Sequence, residues 1–324
     1  MSSQPAPAAN TAPTAPLYTE LPYPADGVIR TAHGRIIRAG LAQFAPHLAE
    51  RRPLRIVDVG CGTGENTSGL AQVFPQAEIC GADINPASLE LAGKLAQRSG
   101  SGVKLVQCDI SRTLAERLQD VSPGKFDVVC SIGVLHHLAD PSVGFAAVRE
   151  LIKPDGLFYC MVYTHYGRRE EMAVKSLLNE ALPAGTSWQA RASAIGELGL
   201  ANIQTLWNGI KTIRRRAKFG PPILPLELVR ARIHRNRLVH ESDTYSNPCE
   251  HLYRFGELRN LLTETGWQFV SLAPHAGLPT RPAEHTRRPR ALALLRSMPE
   301  DALFDYFAFY YEASGFHFFA RPKP

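Results

Sequence analysis

The stretch VDVGCGTGENT, residues 57–67, decides the fold. It joins an apolar run ending in Asp58 to three closely spaced glycines, Gly60, Gly62 and Gly64. The pattern is that of a buried strand turning into a helix, which is the first connection of a parallel sheet. Glycine lets the backbone bend sharply and lets a ligand approach closely. The stretch therefore predicts a ligand site at the carboxyl end of the first strand.

Short apolar runs alternate with helical patterns around this turn. Strands are predicted at 54–60, 77–84, 103–110, 126–133, 156–164, 267–274 and 315–322. Helices are predicted at 67–74, 86–100, 113–119, 141–153, 255–266 and 299–314. This alternation indicates right-handed crossovers and an α/β fold, a doubly wound, mostly parallel sheet covered on both faces.

A long helical insertion follows the fifth strand. Residues 165–255 contain no convincing strand and read as helices at 176–185, 187–199 and 227–239. Such an excursion in a sheet domain is typical of a substrate lid. The sequence thus divides into a disordered tail (1–16), an N-terminal helical cap (17–53), a ligand-binding core (54–164), an insertion or lid (165–255) and the completion of the sheet (256–324).

Charge and composition limit the classes of partner and the location that the sequence predicts. The net charge is +6, and much of the excess lies between Lys211 and Arg237. This basic stretch is either a solvated helical face or a surface for an anionic substrate or nucleic acid. No apolar run is long enough to cross a membrane, and no targeting signal is apparent, which predicts a cytoplasmic location. The six cysteines form no CxxC pair, so we expect buried free thiols and no metal site.

Three acidic residues define the ligand. A dinucleotide fingerprint needs G-x-G-x-x-G, but here the sixth position is Glu65, whose carboxylate would repel a pyrophosphate. Asp83 ends the second strand, where a carboxylate binds ribose hydroxyls, and Asp109 ends the third, where it can accept from an adenine amino group. The pattern predicts a nucleoside without a phosphate grip, as in S-adenosylmethionine (SAM), and disfavours a nicotinamide oxidoreductase.

These motifs resemble the class I SAM-dependent methyltransferases. VDVGCGTG (57–64), GADINPASLELA (81–92), CDI (108–110), FDVVCSIGVLHHLADP (126–141) and LIKPDGLFYCMVY (151–163) match the family's motifs in order. The resemblance implies a Rossmann-like, seven-stranded sheet, SAM as methyl donor and S-adenosylhomocysteine (SAH) as product, without a metal.

The resemblance also implies roles for individual residues. The implied cofactor contacts are Asp58, Gly60, Cys61, Gly62, Asp83, Ile84, Asp109, Ile110, Ser131 and Ile132. Asp83 would hold the ribose, Ile84 would pack on the adenine, and Ser131 would border the carboxypropyl chain. Ile84 and Ile110 are equally compatible with a plain apolar core.

Two residues beyond the fourth and fifth strands are catalytic candidates, namely His136 and Tyr163. Candidates for contact with the substrate or lid are Tyr18, Tyr23, His137, His165, Asp243 and Tyr245. The alternatives are that the histidines bind loop backbone groups and that the N-terminal tyrosines only anchor the chain.

Two segments resemble a narrower bacterial group of methyltransferases that is often fused to tetratricopeptide repeats. LYTELPYP (17–24) is similar to its Tyr-x-x-x-Pro-Tyr-Pro motif, and DTYSNPCEHLYRFGEL (243–258) to its later Pro-Cys segment. This chain has no repeats, and Glu250 and His251 replace an Arg-Asp pair of that group.

The predicted function is methyl transfer by in-line displacement to a small molecule or a peptide. Methyltransferases that act on the amines of bases carry Asn/Asp-Pro-Pro-aromatic after the fourth strand, where this chain has SIGV, residues 131–134. The alternatives are an RNA (tRNA) methyltransferase that uses the basic stretch and a non-catalytic SAM-binding regulatory protein. The sequence leaves open the acceptor atom, the need for a base and the oligomeric state.

Overall fold

The computed structural model describes residues 13–24, 27–183, 185–198, 243–274 and 278–324. The basic stretch between residues 211 and 237 and the predicted helix at 227–239 lie outside these ranges. In the described residues, no helix is both long and apolar enough to cross a membrane.

Seven strands make up the sheet: β1 Arg55–Val59, β2 Glu78–Asp83, β3 Lys104–Gln107, β4 Phe126–Ile132, β5 Ile152–Tyr163, β6 Trp267–Leu272 and β7 Gly315–Pro322. Their order is β3-β2-β1-β4-β5-β7-β6. β1 to β5 are parallel, and β7 lies antiparallel between β5 and β6. The predicted fold class and the seven predicted strands are confirmed. Because the order reverses between β1 and β4, the carboxyl ends of these two strands flank a ligand crevice.

The helices of the described residues surround this sheet: α1 Ala15–Glu20, α2 Ala32–Phe44, α3 Pro46–Ala49, α4 Glu65–Val73, α5 Pro86–Ser99, α6 Leu114–Val121, α7 Pro141–Leu151, α8 Arg169–Ala181, α9 Trp188–Glu197, α10 Phe255–Glu264, α11 Pro282–His285, α12 Pro289–Ser297 and α13 Glu300–Tyr310. α1 begins two residues ahead of the predicted start of the cap, and α8 begins seven residues ahead of the predicted insertion helix at 176. α11 and α12 were not predicted.

Apolar layers cover both faces of the sheet. On one face, helices α6, α7, α10 and α13 pack against strand residues such as Phe158 and Trp267. On the other, Ile37 and Leu41 of α2 pack near Phe319. Each such fully buried side chain contributes about 1.5–3 kcal/mol through burial of apolar surface. The central strands β1 and β4 are therefore buried along almost their whole length and are mostly apolar, because helices cover both faces of the sheet there.

The junction of α7 and β5 differs from the prediction. The helix was expected to run to residue 153 and the strand to start at 156, but α7 ends at Leu151 and β5 begins at Ile152. Ile152 pairs with Phe126 of β4, and its side chain is fully buried. Pairing with the neighbouring strand therefore overrides the helical pattern of this segment.

The described part of the insertion folds back on the tips of β4 and β5. Helices α8 and α9 and a helical turn at 243–246 enclose a small apolar cluster of Leu178, Ile195 and Tyr245. Residues 249–253 then run along the strand tips, where the His251 amide donates to the His136 carbonyl over 2.9 Å. The insertion thus forms a wall beside the crevice.

Candidate active site

The glycine turn after β1 takes a conformation that only glycine adopts readily. Gly60, Gly62 and Gly64 all lie in the left-handed region, with φ of 79°, 52° and 80°. A Cβ at Gly62 would lie 2.5 Å from the carbonyl oxygen of Tyr23, and one at Gly64 would lie 2.7 Å from the Cβ of Ala92. The turn is therefore fixed by the N-terminal segment on one side and by α5 on the other.

Main-chain donors of the turn are used within the protein. The amides of Gly60 and Cys61 both donate to the Ala82 carbonyl, at 2.7 and 3.0 Å, and the Gly64 amide donates to the Cys61 carbonyl. The carbonyl oxygens of Gly60 and Gly62 accept no main-chain hydrogen bond from the described residues. The turn therefore offers acceptors, which suit an ammonium group and do not suit a phosphate.

Asp83 lies at the end of β2 and binds the same turn. Its Oδ2 accepts from the Gly62 amide at 2.8 Å, and its Oδ1 accepts from the Asn85 amide at 2.9 Å. Each oxygen keeps a second lone pair that can accept from a sugar hydroxyl. Burial raises the pKa of this carboxyl, and the main-chain amides oppose that rise.

Asp58 is buried and is bonded to other side chains of the protein. Its Oδ2 accepts from the Thr67 hydroxyl at 2.6 Å, and the Cys130 thiol lies 3.6 Å from Oδ1. Burial raises the pKa of Asp58 to about 6, and the hydrogen bond from Thr67 opposes this. The carboxyl thus joins β1, α4 and β4 beneath the glycine turn.

The adenine candidates follow β2 and β3. Asp109 Oδ1 accepts from the Ser111 amide at 2.8 Å, which shapes the loop after β3. The side chain of Ile110 is buried, whereas Ile84 is half-buried. Asp109 keeps a partly exposed carboxylate, 19% accessible, at the edge of the crevice. The roles of these residues toward a purine stay predictions.

At the tip of β4, main-chain atoms and open space are available to a ligand. The Ser131 hydroxyl donates to the Val59 carbonyl at 3.0 Å and is fully buried, so only its main chain is available to a ligand. Ile132 is half-buried. Gly133 follows with φ of 76°, and a Cβ there would meet nothing within 4 Å. The crevice is therefore open beside Gly133.

An N-terminal strap, defined as residues 13–24 and 27–30, crosses the glycine turn. Its Tyr18 hydroxyl donates to Asp243 Oδ1 at 2.6 Å and accepts from the Asn247 amide at 3.0 Å. The Tyr18 carbonyl accepts from the side chain of Asn85, which follows β2. Tyr18 thus anchors the strap, which is the alternative given for it, and its contact with a substrate stays a prediction.

Glu65 holds the other end of the strap. Its carboxylate pairs with the Arg30 guanidinium and accepts from the Gly27 amide at 2.8 Å, and its side chain is 1% accessible. The sequence argument that this carboxylate would face and repel a pyrophosphate is therefore wrong, because Arg30 neutralises it. A phosphate is disfavoured instead because the amides of Gly60, Cys61, Gly62 and Gly64 already donate within the protein.

A polar cluster lies at the tips of β4 and β5. The His136 ring is fully buried, 4.0 Å from the Tyr163 ring and 4.1 Å from the His137 ring between centroids. Neither ring nitrogen of His136 has a hydrogen-bond partner in the described structure. Burial lowers the pKa of His136 well below its usual value, so the ring is neutral at physiological pH. Burial likewise raises the pKa of Tyr163.

His137 has the structural role that was the alternative for these histidines. Its Nδ1 lies 2.7 Å from the Cys249 carbonyl, which fixes the insertion against the loop after β4. Burial lowers its pKa to about 3, although that hydrogen bond opposes the shift.

Three other candidates differ in position. The side chain of Tyr23 is largely buried, and burial raises the pKa of its phenol. The His165 side chain is exposed and contacts the ring of Tyr166, so the described structure does not bring it into the cluster. Tyr245 packs inside the insertion and does not line the crevice.

Sequence reasoning missed Arg168, which pairs with Glu250. The Arg168 guanidinium lies 4.0 Å above the Tyr163 ring and donates to Glu250 Oε1 at 2.6 Å. Lys175 lies 3.6 Å from the other oxygen of Glu250. Arg168 and Glu250 are 82 positions apart in the sequence, so no local sequence pattern reveals their contact. An available signal was the basic pair of residues 168 and 169 directly after β5.

The cysteines of the protein are free thiols, as expected. The six cysteines are free, and those at positions 61, 80, 108, 130 and 160 are buried. Within the described ranges, no group of three or more histidine, cysteine, aspartate or glutamate side chains is arranged to hold a metal ion.

The crevice fits a sulfonium nucleoside. The turn offers carbonyl oxygens to an ammonium, Asp83 offers lone pairs to ribose hydroxyls, and there is open space beside Gly133 after β4. The buried Thr63 hydroxyl also lacks a partner among the described residues. These are features of a site that accepts SAM or SAH.

Comparison with known proteins agrees with a site for SAM. Residues 51–216, just over half of the chain, match the family described as "Methyltransferase domain". An uncharacterized protein from Synechococcus is 42% identical over 128 residues, which are 39% of this chain and 28% of that protein. The ubiquinone biosynthesis O-methyltransferase of Cereibacter sphaeroides is 35% identical over 150 residues, 45% of this chain and 58% of that enzyme.

Structural similarity extends further along the chain. PKMT2 from Rickettsia typhi, solved in complex with AdoHcy, shares the fold with a TM-score of 0.55 and 15% identity over 84% of this chain and 49% of that one. The matched regions thus cover from about a quarter to under two thirds of these relatives' own lengths. By its family match, sheet order and cofactor crevice, the chain belongs to the class I SAM-dependent methyltransferases.

Proposed function

We propose that this protein transfers a methyl group from SAM to a small-molecule or peptide acceptor that binds beside His136. The observation that supports this most is the fully buried His136 ring, with two unpaired nitrogens, in the helical turn that follows β4. Buried polar atoms of native proteins are rarely left unpaired, so a partner from outside the chain is expected there. The relatives named for O-methylation are compatible with this acceptor class.

In this proposal the core, residues 54–164 and 256–324, holds the cofactor. Asp83 accepts from the ribose hydroxyls, and the carbonyls of Gly60 and Gly62 accept from the ammonium group. When bound, SAM supplies a methyl group on a sulfonium sulfur, an already activated leaving group. Alignment and exclusion of water therefore provide most of the rate acceleration.

The remaining residues act on the acceptor. The described part of the insertion, residues 165–183, 185–198 and 243–255, forms its wall, and the strap excludes water from above. For an acceptor group that carries a proton, a nitrogen of the neutral His136 ring would accept that proton when it is released. Tyr163, which contacts that ring, orients it.

One experiment tests the activity. The purified protein is incubated with methyl-labelled SAM and with fractionated metabolites and peptides, and the labelled product is identified. Transfer of label to a small molecule or peptide, lost in His136→Ala and kept in His165→Ala, supports the proposal. Label found only on RNA would favour an RNA methyltransferase, and SAM binding without turnover in any fraction would favour a regulatory protein.

A second measurement tests the cofactor site. Asp83→Ala should weaken SAM binding more than tenfold in isothermal titration, because two ribose hydroxyls lose their acceptor. Asp120→Ala is the matched control, since that carboxylate is 62% accessible on α6. Equal affinity of the Asp83 variant and the wild type would contradict the ribose assignment.

A further inference from the structure

An arginine-rich surface, defined as residues 281–297, covers helices α11 and α12. This segment contains five arginines, one glutamate and no lysine or aspartate. All five arginines are exposed, namely Arg281, Arg287, Arg288, Arg290 and Arg296. The carboxylate of Glu284 accepts from the Thr280 main-chain amide at 2.7 Å, so it is engaged in the turn before α11. The segment therefore has an excess of four positive charges.

The arginines of this surface have no acidic partner. None of the five makes an ion pair with a carboxylate of the described residues. Arg259 on α10 provides the contrast, since it pairs with Asp301 at 2.6 Å. A single hydrated arginine on a surface indicates little, because exposed ion pairs contribute little to stability. Five of them in one short segment add up to a positive potential that attracts a polyanion.

Exposed aromatic rings lie beside the arginine-rich surface. The His285 ring on α11 lies 4.6 Å from the Tyr310 ring on α13, and Tyr310 is 37% accessible. The neighbouring Phe309 is 51% accessible. Arg287 and Arg288 follow His285 by two and three residues, which is at most about 7 and 11 Å along the chain. Arginine side chains and accessible rings are therefore close enough to contact one extended ligand.

The combination of groups indicates the chemistry of that ligand. Guanidinium groups bind phosphate oxygens with paired hydrogen bonds, and exposed aromatic rings stack on unpaired bases. An acidic peptide would use the arginines but leave the rings without a matching group. A double helix would also use only the arginines, because its bases are stacked on each other. Single-stranded RNA supplies phosphates and accessible bases together.

We propose that the arginine-rich surface, together with Phe309 and Tyr310, is a docking surface for single-stranded RNA. The arginines contact the phosphates, and the two rings stack on bases. Contacts of this kind carry little sequence information, so binding is expected to tolerate many sequences. The inference does not depend on the proposed function, because none of these residues belongs to the cofactor crevice or to the proposed acceptor site.

The test measures the fluorescence anisotropy of a labelled dodecamer of uridylate that is titrated with the intact protein at a series of salt concentrations. The comparison ligand is a dodecamer of glutamate, which has a similar charge but no bases. We expect the RNA to bind at least about tenfold more tightly than the peptide, because only the RNA stacks on the rings. Equal affinities, tighter binding of the peptide, or no RNA binding at low salt would overturn the inference.

A pair of double variants then locates the phosphate contacts. Arg287→Gln with Arg288→Gln should weaken RNA binding at least about tenfold at low salt and make it less dependent on salt, because two phosphate contacts are lost. The matched control is Arg35→Gln with Arg38→Gln, which removes two exposed arginines of α2, on the opposite face of the sheet. The control should bind RNA like the wild type. Equal losses in the two double variants would show a general effect of net charge and would overturn the inference.

A third variant tests the stacking contact. Phe309→Ala should weaken RNA binding at least about fivefold and leave glutamate binding unchanged, whereas Phe309→Trp, which keeps a ring, should bind RNA like the wild type. Equal RNA affinity of Phe309→Ala and the wild type would contradict the choice of RNA as the partner. RNA binding that neither Phe309→Ala nor the Arg287 and Arg288 double variant reduces would belong to another part of the chain, such as the basic stretch between residues 211 and 237, and the inference would be wrong.

Discussion

Replacing Gly62 by alanine should disrupt both the glycine turn and the strap above it. The left-handed φ of 52° costs an alanine about 1–2 kcal/mol. Its Cβ would also lie 2.5 Å from the Tyr23 carbonyl oxygen, so this backbone atom must move about 0.9 Å to reach an ordinary 3.4 Å contact. That shift pulls on the Gly27 amide bound to Glu65, a hydrogen bond to a charged group that contributes about 1.5–3 kcal/mol.

The expected loss for Gly62→Ala is therefore about 3–5 kcal/mol in the free energy of unfolding, measured with urea, and at least tenfold in SAH affinity. Gly100→Ala is the matched control, because Gly100 has φ of 65° but nothing within 4 Å of its Cβ position. That variant should lose only about 1–2 kcal/mol, the cost of the backbone conformation, and keep its SAH affinity. Equal losses in the two variants would refute the idea that the strap rests on the glycine turn.

Two further predictions concern Asp58 and Tyr18. The pKa of Asp58 in the folded protein is about 6, above its ordinary value of 3.8, so folding favours the protonated carboxyl. The stability that the protonated Asp58 contributes is therefore present below pH 4 and is lost as the pH rises through 6. In urea unfolding, the free energy of unfolding of Asp58→Asn relative to that of the wild type should rise by about 3 kcal/mol between pH 4 and pH 7.5. The same pH dependence in both proteins would contradict this. Tyr18→Phe leaves Asp243 without its hydroxyl donor and should cost about 1.5–3 kcal/mol, also with faster release of SAH. The control is Tyr166→Phe, because the Tyr166 hydroxyl has no hydrogen bond in the described structure. This variant should keep both the stability and the SAH release rate of the wild type, and equal behaviour of the two variants would count against the Tyr18–Asp243 link.

The fold and the cofactor crevice could be predicted because their signals are local. The glycines of residues 57–67 and the acid that ends β2 lie within a few positions of the strands that place them. Parallel strands bring their carboxyl ends to one edge, so the meeting of Gly62 and Asp83 follows from strand order alone. The start of β5 at Ile152 was missed, since pairing with Phe126 depends on a residue 26 positions away.

The acceptor side could not be predicted in the same way. Arg168 and Glu250 meet only because residues 249–253 return to the tip of β5, and no periodicity encodes that return. Tyr18 and Asp243 are 225 positions apart, and each alone is an ordinary polar residue. The sequence marked both as candidates, but only the folded chain shows that they bind each other.

That contact couples the two halves of the site. Tyr18 joins the loop after β2, through Asn85, to the insertion, through Asp243 and Asn247. The same insertion holds Arg168 through Glu250. A strap displaced to admit the cofactor must therefore break its bond to the insertion, which forms the wall of the proposed acceptor site. Because both sites share these hydrogen bonds, closure of the strap over SAM restores the wall as well, and we expect the acceptor to bind more tightly once the cofactor is in place.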